Sequence, residues 1–97
     1  MNDEYLVLIS SGCHDDAEIA AHRVSAVDAE RIASLARDMV AAVAAGQVWW
    51  DCYADIGVEL IVRIDAEPLF DLMHPERCAA SGIIQMLEQR LARRRPD

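Results

Sequence analysis

The sequence predicts an α+β fold: a four- to five-stranded, mainly antiparallel sheet with two helices packed on one face, in the order ββαββ(β)α. Three observations carry this expectation: an apolar strand near the N-terminus, two stripes of helical period, and a pair of alternating runs split by a short glycine turn. At 97 residues the chain fits one domain, 1–97, and a domain of this size hides only about 60–65% of its unfolded surface. Apolar residues make up 54% of the chain, but 16 of them are alanines. The core must therefore come from Leu, Ile, Val, Met and the few aromatic residues.

Glu4 to Ser10 is apolar at both alternating sets, Leu6 and Leu8 against Tyr5, Val7 and Ile9, as a central strand covered on two sides would be. Ser11 to Asp16 reads as a turn. Ala17 to Val24 reads as a strand because its ends are β-branched, although its alanines would tolerate a helix. Ser25 and Asp28 then mark a helix start in capping-box fashion. Ile32, Leu35, Ala36, Met39, Val40 and Val43 recur at helical spacing behind them, and Gly46 supplies the left-handed residue that closes such a helix.

Val48 to Ala54 and Val58 to Asp65 read as a hairpin turned at Asp55, Ile56 and Gly57. Strict alternation sends Val58, Leu60, Val62 and Ile64 to the core and Glu59, Ile61, Arg63 and Asp65 to solvent. Leu69 to Met73 reads as a short edge piece after Pro68. A second helix is predicted from Pro75 to about Arg94 with Ala80, Ile83, Ile84, Leu87 and Leu91 as its stripe. Gly82 weakens that helix enough to allow a restart at Ser81.

Charge narrows the function classes. Seventeen acids face nine arginines, with no lysine, for a net charge of −8. The balance is polarised, since residues 89–97 hold four of the arginines and one acid. A body of this sign repels phosphates, which argues against direct nucleic-acid binding. The acidic N-terminal residues do not fit a secretory leader, and the longest apolar stretch, Met39 to Trp50, falls short of the roughly 20 residues that span a bilayer. Three cysteines at unrelated spacings suit free thiols and a cytoplasmic location.

No catalytic or cofactor motif stands out. Cys13, His14, His74 and Cys78 are zinc-ligand types, but their spacing matches no finger or ribbon, and a buried thiol with a surface histidine is the simpler reading. A thiol nucleophile at Cys13 would sit beside Asp15 and Asp16, which disfavour the thiolate. The arginines at 90 to 95 suit the negative end of a helix, with docking into the acidic body of a second copy as the alternative. The candidate partner face is the outer side of the predicted hairpin: Trp49, Asp51, Tyr53, Asp55, Glu59, Ile61 and Asp65. Aromatic anchors ringed by carboxylates suit a basic protein surface, such as that of a nucleic-acid-binding complex. The expected function is thus that of a small acidic module that inhibits a partner stoichiometrically. Anti-CRISPR proteins and DNA mimics of phages share this size and charge by analogy of class alone. An immunity or antitoxin-type binder and a structural homodimer are the alternatives.

Overall fold

A computed structural model describes residues 4–13, 17–51, 55–64 and 80–95. Its elements are β1 (Glu4–Ser11), β2 (Glu18–Ser25), α1 (Ala26–Ala44), β3 (Gly57–Arg63) and α2 (Ala80–Ala92). The sheet order is β2-β1-β3, with β1 antiparallel to both neighbours. β2 and β3 therefore run parallel to each other, and α1 carries the chain from one sheet edge to the other. No helix among the described residues is long and apolar enough to cross a membrane.

β1 is central, as its two apolar sets require. Val7 and Ile9 face the helices with Val24 of β2, and Ile32, Leu35 and Met39 of α1 close over them in one buried cluster. Ile32 and Val7 have no exposed surface, so each contributes about 1.5–3 kcal/mol of hydrophobic stabilisation. Ile83, Leu87 and Leu91 of α2 complete the cluster, and α2 packs chiefly against α1, which itself makes the contacts with all three strands. The strand expected over 17–24 is β2, Glu18–Ser25, which pairs along its whole length, Tyr5 opposite Val24 and Val7 opposite His22.

The ends of α1 follow the sequence closely. Ser25 is the N-cap, its hydroxyl accepting from the Asp28 amide at 3.2 Å. At the other end the Gln47 amide donates to the Ala42 carbonyl and the Gly46 amide to that of Val43. This paired closure needs a left-handed residue, and Gly46 supplies it at φ 73°.

Three strands are seen among the described residues, and the expected fourth and fifth are not confirmed. The predicted hairpin is corrected. Residues 48–51 run as loop; positions 52–54, the edge piece at 69–73 and the first part of the predicted second helix lie outside the described residues. The side-chain order of β3 is also inverted beyond its start. The pairing shifts between Leu8 and Ile9, so that Ile9 stands opposite Val58 but Leu8 opposite Leu60. Such a bulge inserts one residue and exchanges the faces of everything after it. Val58 and Ile61 consequently pack on the core, whereas Leu60 and Val62 are exposed. Gly57 opens the strand where a β-carbon would stand 2.5 Å from Ser10 Oγ, so a larger residue there would require the serine hydroxyl to turn away.

Candidate interaction face

The segment after α1 is held by α2 rather than by the sheet. The Arg95 amide donates to the Gln47 carbonyl at 2.8 Å, and Arg90 Nη2 donates to the Trp49 carbonyl at 2.7 Å. Arg90 also grips Asp55 with both arms, Nε on Oδ1 and Nη2 on Oδ2. The Asp55 carboxylate, whose side chain is 1% exposed, accepts the Asp51 amide as well, at 2.8 Å. The Asp55 amide in turn donates to the Asp51 carbonyl at 2.7 Å. A planar guanidinium and a carboxylate matched in this way form the geometrically most specific ion pair available to side chains. Together with Val48, which enters the core, they fix the backbone on both sides of two tryptophans.

Trp49 is 83% exposed and Trp50 41%. Trp50 forms one wall of a groove of about 390 Å³ whose other walls include Val40, Val43, Ile56 and Leu87. On one flank a second hollow joins Val43 and Trp50 to Trp49 and Arg95; on the other, a third joins Leu87 to Met86 and Arg93. Val40 and Met86 are also exposed. The result is an apolar groove with a polar flank at Gln89, Arg90 and Arg93, a combination found at interaction sites.

The residues expected to form the partner face are dispersed. Trp49 and Asp51 are exposed on the clasped loop. Asp55 is buried in its ion pair and so offers no surface charge. Glu59 is exposed at the bulge and accepts from Ser10 Oγ at 2.6 Å. Ile61 packs on the core side. Tyr53 and Asp65 lie outside the described residues. Among the described residues, Trp49 shares a hollow with Arg95, and its carbonyl accepts from Arg90. Sequence reasoning assigned Arg90 to the helix dipole; its pairing with Asp55, 35 residues away, carries no local signature.

Cys13 is buried and disulfide-bonded, which corrects the expectation of three free thiols. Its sulfur is accordingly neither a thiolate nucleophile nor a zinc ligand in this state. His14, His74 and Cys78 lie outside the described residues, and the described residues contain no group of three or more metal-ligating side chains.

No family model matches this chain, and neither a curated protein nor a solved structure matches it.

Proposed function

We propose that this chain is a protein–protein interaction module that acts by stoichiometric binding, with the Trp49–Trp50 loop as the landing site. The observation that supports it is a tryptophan 83% exposed on backbone fixed by a desolvated ion pair. Leaving a ring of that size in water forgoes its burial, whereas tryptophan is the leading anchor type at interfaces, and a pre-fixed loop loses little freedom when a partner closes on it. The test is capture by the tagged protein from lysate of its source cell, with Trp49→Ala and Val40→Asp beside wild type. The module reading expects one partner in fixed ratio, lost by both variants while their melting temperatures stay within a degree or two. Capture that both variants retain would place the interface elsewhere.

The narrower reading, an inhibitor that covers a basic, nucleic-acid-binding surface of its partner, draws support from the net charge of −8. Among the described residues nine carboxylates face eight arginines, so that support comes almost wholly from stretches 1–3, 14–16, 65–79 and 96–97. On this reading heparin competes with the module for its partner, because both present dense negative charge to one cationic surface. A captured partner that heparin leaves in place removes the inhibitor reading and leaves the module.

A further inference from the structure

The sign of the charge around the tryptophans identifies the chemistry of what lands there. Asp55 is neutralised by Arg90, which leaves Asp51 as the exposed carboxylate of the described loop. Against it stand Arg93, Arg94 and Arg95, all exposed, of which Arg93 and Arg95 line the hollows on either side of the central groove. On α1, Arg37 is exposed and stands three residues before Val40, on the same side of the helix. The groove itself is apolar and, at about 390 Å³, has room for one or two branched or aromatic side chains. Resting on the interaction-module reading, we propose that this face binds an acidic protein segment, seating aliphatic or aromatic anchors in the groove beside Trp50 and placing carboxylates against Arg93 and Arg95. The face thus has a charge opposite to that of the whole chain.

The groove selects the anchor and the arginines select the flanks. Arginine forks bind carboxylates bidentately, and the exposed ring of Trp49 offers a flat apolar surface beside them on which the stem of a bound side chain can lie. A basic segment would meet Arg93 and Arg95 beside the groove, and such like-charge contacts are the usual means by which an interface rejects the wrong partner.

The proposal is tested with three labelled peptides of equal length, read by fluorescence anisotropy on the full chain: a leucine stripe flanked by glutamates, the same stripe flanked by lysines, and the glutamate peptide with serines in place of leucine. The acidic leucine peptide is expected to bind at least about 10-fold tighter than either control, which corresponds to about 1.4 kcal/mol. Trp49→Ala should weaken it by about 10-fold or more, and the double reversal Arg93→Glu/Arg95→Glu should move the preference to the lysine peptide. Val40→Asp, at an exposed helix position, gives a second lesion in the groove that spares the fold. Tighter binding of the lysine peptide, still lost in Trp49→Ala, overturns the acidic preference while sparing the module reading. Binding of no peptide overturns the proposal, and the module reading then stands or falls on partner capture. Two further outcomes overturn it in favour of another occupant: sedimentation with phosphatidylserine vesicles through Trp49, or a dimer that Trp49→Ala dissolves.

Discussion

Removing Arg90 while leaving Asp55 tests the clasp most directly. In Arg90→Met the stem volume is kept, but the Asp55 carboxylate, 1% exposed, loses both guanidinium bonds and keeps the Asp51 amide. An uncompensated buried charge of this kind costs about 3–5 kcal/mol. The reciprocal change, Asp55→Asn, should cost less, about 1–2.5 kcal/mol. The amide oxygen can still accept from Asp51, and the stranded guanidinium, 28% exposed, can turn to water. The double variant should be less damaging than the sum of the two by about 2 kcal/mol, the coupling expected of partners in contact. For a domain of this length about 4–8 °C of melting temperature accompany each kcal/mol, so Arg90→Met should melt at least ~12 °C lower. Urea denaturation followed by far-ultraviolet circular dichroism measures all four species, and hydrogen exchange at the Asp51 and Asp55 amides reports the loop itself. If Arg90→Met falls within about 1 kcal/mol of wild type, or the two single changes prove additive, the clasp is not what holds the tryptophan loop.

Other perturbations address single features. Gly46→Ala should cost about 1–2 kcal/mol through backbone conformation alone, since φ is 73° and a β-carbon there meets nothing within 4 Å. Gly82→Ala, equally free of clashes but inside α2, should raise stability by about 0.8–1 kcal/mol; chemical denaturation of the two variants side by side reads both signs. Ser25→Ala removes the acceptor for the Asp28 amide and should cost about 1 kcal/mol in the same assay. Dithiothreitol should lower the melting temperature through loss of the Cys13 disulfide, by the equivalent of about 2–4 kcal/mol. A Cys13→Ala variant should then be insensitive to the reductant.

The parts of the fold legible in the sequence are those set by local chemistry. Ser25, Asp28 and Gly46 bracket α1 because cap and closure depend on residues within one turn, and the doubly apolar β1 could only be central. The β3 register was not legible. Val58, Leu60, Val62 and Ile64 alternate without a break, and nothing in that run marks the bulge; the pairing with β1 decides it. The run from Val48 to Asp51 has strong strand propensity, yet the Trp49 carbonyl accepts from Arg90 and the Asp51 carbonyl from the Asp55 amide, so tertiary partners override propensity. At the candidate site Trp49 is exposed, but on a loop rather than on the hairpin from which its exposure was expected, and the burial of Asp55 and the approach of Arg90 are contacts between distant segments that no local pattern announces.

A molecule whose overall charge is −8 and whose candidate face carries Arg93 and Arg95 complicates the usual inference from salt. Weaker partner capture at high ionic strength identifies neither partner type, because screening weakens contacts of both signs. The on-rate is governed by the field of the whole chain, whereas the dissociation rate is governed by contacts at the groove mouth. For an acidic partner the two act in opposition: the whole chain repels it at a distance, and the arginines hold it on contact. Added salt should then speed association while also speeding release. For a basic partner salt slows association and speeds release. Association and dissociation rates measured separately across salt concentrations therefore distinguish the two partner types, where an equilibrium salt titration does not.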